Sequence, residues 1–397
     1  MTGREKIEAA LSKEGTGDIP AVICYEGILV EDHWDQFTSC PWWYRFSPDI
    51  EQQTQWRRDL MAAIGHDWYE LASVRRTEED RERLLAGGRP YFYSRDERRR
   101  LAVEERPQGV FLANALTGWE ERLDRPPVHG WSTSAKKVES IHPERLAQTP
   151  DELDELIHIP LELSAERIAA EGRHDLAARW QKEFGVEKFP LYSTTTPFCS
   201  LYFLWGFEAM MTMVMDRPDL VRHACQRFLE SSLASIRMAA SLGVAGIWIS
   251  DSFTDMLNPE QFREFHMPSA RPLIEGIRSA GMKSFYYYGG DPKGKWDQIL
   301  DLGVDAISFE ESKKYFRIDI EDVVDIVQGR YTVLGNLDAM DLLPKASEAE
   351  LRAELSRQIA AGRRNGSRFI MSLGSPVTPE TPVERVRLYC DLVRELG

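Results

Sequence analysis

The chain has 397 residues, 43% of them hydrophobic and 28% charged, enough to bury a large core in one domain or a few. Its formal net charge of −15 speaks against nucleic acid or an anionic membrane as the main partner. The five cysteines (Cys24, Cys40, Cys199, Cys225 and Cys390) are odd in number and form no CxxC pair, which speaks against a disulfide framework or a zinc ribbon.

The opening MTGREKIEAALSKEG is an amphipathic helix pattern without the apolar centre of a signal peptide. No apolar run reaches the length of a membrane span, so the expectation is a soluble cytoplasmic protein. Short apolar runs then recur as candidate strands: Ile19–Tyr25, Ile64–Leu71, Phe189–Thr195, Ala245–Asp251, Met282–Tyr288, Val304–Glu310, Tyr331–Asn336 and Arg368–Leu373. Helical patterns separate most of them, such as Pro259–Ala280, Asp319–Gln328, Glu348–Asn365 and Pro382–Leu396. Asn258-Pro259-Glu260 and Ser347-Glu348 carry helix-entry chemistry.

Strand and helix alternating in this way predict an α/β protein, a (β/α)8 TIM barrel forming one domain over residues 1–397. A doubly wound sheet is the alternative. The interval from Ala72 to Lys188 is too long for one helix. It reads as an insertion over the barrel mouth, between the second and third strands: a charged run, a β-hairpin pattern in RPYFYSRDERRRLAVEERPQGVFLA, then proline-rich turns. The charged run is expected to be a solvated helix face.

From Ile247 onward the order of ISDSFTDMLNPEQFREFHMPSARPLIEGI, YYGGDP, LGVDAISFEE, VLGNLDAMDLL and IMSLGSPVTPETPVERVRLYCDLV resembles the uroporphyrinogen decarboxylase superfamily. That superfamily includes the decarboxylase and the cobalamin-linked methyltransferases of methanogens and acetogens. The N-terminal REKIEAALSKEGTGDIPA resembles its opening helix and proline-marked first strand, while the middle of the chain is only weakly similar. The resemblance implies a TIM barrel, which the strand count predicts independently.

Departures from the family patterns narrow the function. The decarboxylase has R-Q-A-G-R-Y after its first strand and N-L-G-H-G-I at its last. Here the first strand runs into CYEGILVEDHW, without the arginine pair, and Ser375 in SLGSPV stands where the histidine would be. A polycarboxylated tetrapyrrole needs fixed cations, so their absence from these positions speaks against uroporphyrinogen as substrate. The zinc methyltransferases carry H-x-C-G after the fifth strand and a cysteine at the last, and their zinc converts a thiol into a methyl-accepting thiolate. Aligned on GGD, Tyr287 replaces the histidine, Gly289 the cysteine and Ser375 the third ligand. The resemblance therefore implies no zinc at those positions. Another zinc would have to draw on residues such as His33, Glu310 or Asp338.

In a TIM barrel the C-terminal strand ends collect the working residues. In order these are Tyr25-Glu26, His66-Asp67, Thr194 to Thr196, Asp251 with Asp255, Tyr286 to Tyr288 with Asp291, Glu310-Glu311, Asn336 with Asp338, and Ser375. Crowded carboxylates in a partly dry site raise one another's pKa, which suits general acid catalysis. Tyr287, Glu310 and Asp251 are the candidate catalytic groups. Glu26, His33, Trp42, Trp43, Tyr286, Asn336, Asp338 and Ser375 are candidate substrate contacts. Strand alternation sends at least one of the three tyrosines away from the pore, His66-Asp67 can simply begin a strand, and Asn336, Asp338 and Asp251 can equally serve loop structure. The loop His33–Phe46 holds six aromatic residues, which could box a ring or a quaternary ammonium, or instead pack over the barrel or at a homodimer interface.

The leading expectation is a methyltransferase that passes a methyl group from a small O- or N-methylated donor to a corrinoid (cobalamin). No D-x-H-x-x-G signature is present, so the corrinoid would arrive on a partner protein or bind transiently. The alternatives are a cofactor-independent decarboxylase acting on another acid, with Asp251 or Asp338 as its carboxylate, and a non-catalytic binding barrel.

Overall fold

The computed structural model describes residues 1–71, 92–128, 140–313 and 315–397. In chain order the strands are β1 (Trp68–Glu70), β2 (Leu101–Arg106), β3 (Gly109–Asn114), β4 (Glu120–Leu123), β5 (Phe189–Thr195), β6 (Gly246–Asp251), β7 (Lys283–Tyr288), β8 (Ala306–Phe309), β9 (Thr332–Leu334) and β10 (Phe369–Ile370). β1 and β5 to β10 form one parallel sheet in sequence order, and β2 to β4 form a separate antiparallel meander.

Residues 20–22 join the two edges of the large sheet. Ala21 bridges Met371 in parallel, and the N–H groups of Val22 and Met371 each donate at 2.9 Å, to the Met371 and Pro20 carbonyls. On the other side the Asp67 N–H donates to the Ala21 carbonyl at 2.8 Å. The ring is thereby closed with eight members, the topology of a TIM barrel. The first expected strand contributes only this bridge, because Tyr25 already turns into the left-handed region (φ 54°) to start the helix Glu26–Asp32. The second is shorter than expected: Ile64 ends the helix Ile50–Ile64, and Gly65 closes that helix at φ 71°. His66 and Asp67 therefore connect a helix to a strand. The helix expected at Pro259 starts on its Asn258 cap, then passes through a π-turn, Phe262–His266, before continuing as Met267–Ser279.

Between β1 and β5 the expected hairpin gains a third strand. The meander encloses Tyr93, Leu101, Leu112 and Leu123, and Trp42, Trp43 and Phe46 pack against that cluster. The charged run from Arg75 and the end of the proline-rich turn fall outside the described residues. Among the described residues no single helix is long and apolar enough to cross a membrane; one sharply bent pair, Pro197–Trp205 with Phe207–Asp216, would be so by length and composition only.

The lower barrel interior is aromatic. Trp68, Phe189, Trp248 and Phe285 meet edge to face, with centroids 5.7–5.8 Å apart. Gly246 makes room for this layer: a Cβ there would lie 2.6 Å from Phe285 and 2.7 Å from Phe189. Gly246→Val is expected to cost about 1–3 kcal/mol by overpacking, read as a lower urea midpoint with an unchanged m-value.

Candidate active site

Side-chain alternation decides what reaches the mouth. Trp68 faces the pore, so Glu70, two residues on, shares that face. Ser250 is in register with Tyr287, and Tyr287 with Ser308, which puts Glu310 on the same side. Tyr25, Trp248 and Tyr287 then close the pore: their centroids are 5.3 Å (Tyr25–Tyr287), 5.5 Å (Trp248–Tyr287) and 5.7 Å (Tyr25–Trp248) apart. Above this aromatic floor stand Glu70, Ser193, Thr195, Ser250 and Glu310, each partly exposed.

Tyr287 belongs to the floor. Its buried hydroxyl donates to the Gly374 carbonyl at 2.9 Å, and burial, with Glu310 adding to it, pushes the phenol well above its ordinary value. It stays protonated, and its proton already ties β7 to the loop after β10. Glu310 lies at the rim and accepts the Gly290 N–H at 2.9 Å. Burial raises its carboxyl above the ordinary range; Lys313 and the Gly290 N–H oppose the rise, while Glu311 and Asp255 add to it. Gly290 can hold this place because φ is 93° there and a Cβ would fall 2.4 Å from Asp255.

Glu70 is the mouth residue that sequence reasoning missed. Burial raises its carboxyl as well, with the Ser193 hydroxyl opposing and the Glu26 charge adding to it. The available signal was its position: it is the one charged side chain near the end of the run Ile64–Leu71, on the face that alternation assigns to the pore.

Other candidates are placed elsewhere. Asp251 and Tyr286 lie on the outer face of the barrel, fully buried between strands and helices. Asp251 accepts Thr196 and Thr254 hydroxyls, each at 2.8 Å, and the Tyr286 phenol; His266 lies 3.3 Å from that phenol oxygen. Both Asp251 carboxylate oxygens are thus occupied, and the residue is fully buried. This corrects the assignment of Asp251 as an acid and of Tyr286 as a substrate contact. Glu26 is sealed in an ion pair with Arg57, and His66 Nε2 lies 3.0 Å from its other oxygen. Burial opposes its charge, but Arg57 and His66 hold it down at about 2. His33 is buried and bonds the Leu29 carbonyl at 3.2 Å, at the end of its own helix. Trp42 and Trp43 cover the meander, and Trp43 donates to Glu105 at 2.7 Å.

The last three candidates hold loops. Both hydrogens used by the Asn336 amide go to backbone carbonyls, of Glu310 and Ile318, at 3.1 Å. Asp338 accepts the N–H groups of Met340 and Asp341 at 2.8 and 2.9 Å. Ser375 donates to Glu311 at 2.7 Å and accepts from Lys313 at 2.9 Å, while Lys313 also reaches the other Glu311 oxygen at 2.5 Å. Among the described residues no three His, Cys, Asp or Glu side chains are placed to hold one metal ion.

Two expectations follow from these placements. Asp251→Ala leaves three buried hydroxyls without their acceptor and should lower stability by about 2–4 kcal/mol, measured by denaturant unfolding. Glu26 titrates lower folded than unfolded, so its stabilisation is present above the ordinary glutamate value of about 4.3 and is lost as pH falls towards about 2. Thermal melts from pH 5 to 2 should show that loss, and Glu26→Gln should flatten it.

The family model described as Uroporphyrinogen decarboxylase (URO-D) matches residues 178–396, more than half of the chain. The uroporphyrinogen decarboxylase of Thermodesulfovibrio yellowstonii is 26% identical over 190 residues, 48% of each chain. That of Solibacter usitatus is 32% identical over 155 residues, 38% of this chain and 42% of its own. The chain spans about half the length of the curated relatives it matches. Among solved structures, a methyltransferase from Methanosarcina mazei superposes with a TM-score of 0.64 at 15% identity, covering 100% of this chain and 99% of its own, a likeness of fold. With the barrel, the motif order and the family match in agreement, the chain belongs to the uroporphyrinogen decarboxylase family.

Proposed function

We propose that the mouth carries out acid-assisted methyl transfer, from a small O- or N-methylated donor to a corrinoid borne on a partner protein. The observation that carries this reading is Glu310: a rim carboxyl raised by burial and standing above an aromatic floor. The Tyr25, Trp248 and Tyr287 rings offer an apolar seat for the donor and exclude water from below. As the bond between the methyl carbon and its oxygen or nitrogen breaks, the electron pair stays on the heteroatom and Glu310 delivers a proton to it. The corrinoid, when bound, supplies the centre that accepts the methyl group. The partial exposure of Glu70, Ser193, Thr195, Ser250 and Glu310 fits access by a group carried on another protein.

A second reading is favoured by the names of the curated relatives. There a proton from Glu310 or Glu70 would go to carbon as carbon dioxide leaves. The arginines that act on Glu70 are already paired, Arg57 with Glu26 and Arg45 with Glu31, which supports a substrate with fewer carboxylates than uroporphyrinogen.

The test mixes the purified protein with reduced cobalamin and a panel of methoxyaromatics and methylated amines, and follows the visible spectrum for methylation. No spectral change across the panel overturns methyl transfer, and carbon dioxide release from an acid substrate establishes the second reading. With an active donor in hand, Glu310→Gln should lower kcat/KM by about 10²–10⁴ while leaving the fold intact. The protonated form is the active one, so wild-type activity should fall as pH rises through the raised Glu310 value.

A further inference from the structure

The Glu26–Arg57 pair lies beneath the mouth, yet both residues turn to one member of it. Arg57 places Nη1 on Glu26 Oε1 and donates from Nη2 to the Glu70 carbonyl at 2.9 Å. The same Glu26 oxygen accepts the Glu70 N–H at 3.4 Å. At this side of β1 the ring has no strand to offer. The sheet bonding of residues 20–22 ends below, and the chain has already turned at Tyr25 into the helix Glu26–Asp32. The buried pair stands where a neighbouring strand would bond both backbone groups of Glu70.

The guanidinium is itself held between two rings, 4.5 Å from the centroid of Trp56 and 4.7 Å from that of Trp180. Its fork is therefore aimed before it meets Glu26, and His66 Nε2 lies 3.0 Å from the far oxygen of that carboxylate. Among the described residues the groups that act on the Glu70 carboxyl include the Ser193 hydroxyl, Glu26, Arg57, the buried Tyr192 phenol, and Arg45, which is paired with Glu31 at 2.5 Å. In the eight-membered ring β1 and β8 are four places apart, so Glu70 and Glu310 stand on opposite sides of the mouth.

We propose that the Glu26–Arg57 pair is a positioning device: it replaces the missing strand neighbour of Glu70, holds that residue at the side of the mouth opposite Glu310, and balances the charge around it, so that Glu70 acts as a second proton-carrying group of the site. Glu26 and Arg57 are positioning residues, since they touch Glu70 through its backbone and its field. The proposal rests on the reading of the mouth as an acid-assisted site. Opposed acids allow one to protonate a departing atom while the other orients the rest of the donor or takes back a proton.

The test is a carboxyl ¹³C NMR titration of the full-length protein labelled in glutamate, with Glu70→Gln and Glu310→Gln assigning the two signals. In the wild type both midpoints should lie above the ordinary glutamate value of about 4.3. Glu26→Gln removes the negative neighbour and leaves Arg57 unpaired, so the Glu70 midpoint should fall by roughly one pH unit while that of Glu310 stays in place. Arg57→Lys keeps the charge but has no fork to span Glu26 and the Glu70 carbonyl, so the Glu70 amide should exchange its hydrogen roughly tenfold faster. It serves as the second variant if Glu26→Gln does not fold. An unmoved Glu70 midpoint in folded Glu26→Gln, an equal movement of both carboxyls, or unchanged amide exchange in Arg57→Lys overturns the positioning role. An ordinary Glu310 midpoint in the wild type would instead overturn the acid-assisted reading on which it rests.

Discussion

A closed ring of parallel strands gives each side chain one of two destinations, the pore or the layer between strands and helices, and every property of the candidate site follows from that choice. Trp248 and Tyr287 go inward and meet Tyr25 as the floor. Asp251, three residues after Trp248, and Tyr286, one before Tyr287, go outward and meet His266 and two threonines. Adjacent residues with similar chemistry thus end in environments of opposite kind. A phenol at the floor shapes a cavity, whereas a phenol in the outer layer satisfies a buried carboxylate.

The buried charges divide along the same line. Outside the pore they are matched: Glu26 with Arg57 and His66, Asp251 with three hydroxyls, Glu311 with Lys313 and Ser375. Such groups are costly to bury and costly to strip of a partner, so they specify packing and loop position. In the mouth, Glu70 and Glu310 have weaker compensation, one hydroxyl or one N–H with more distant cations, and burial prevails. A carboxyl raised by burial in this way moves towards the range that acid catalysis uses. The contrast between matched and under-matched carboxylates thus follows their place in the barrel, although their residue types are similar.

The barrel was legible because its signal is periodic and local. Runs such as AGIWISD and MKSFYYY, the Asn258 and Ser347 caps, and the motif order after Ile247 each register in a short window, and each became the element expected. Boundaries were less legible. Ile64 reads as a strand residue by its neighbours, but the helix Ile50–Ile64 claims it because its side chain completes that helix's buried face. Trp42 and Trp43 looked like a ligand box from their density alone; what they cover is the meander, a contact made with residues some 60 positions away.

By itself the sequence determined the fold class, the family and the set of strand ends that surround the mouth, because hydrophobic period, capping chemistry and motif order are properties of neighbours along the chain. Which carboxylates face the pore, and which have partners, was decided only by the tertiary structure. Whether Glu70 or Glu26 is the mouth carboxyl depends on where residues 20–22 stop pairing and on Arg57 reaching in from a separate helix. That is a matter of distances between segments brought together by folding. The electrostatics of a carboxyl follow from burial and from charges within a few ångströms, and no window of sequence contains those.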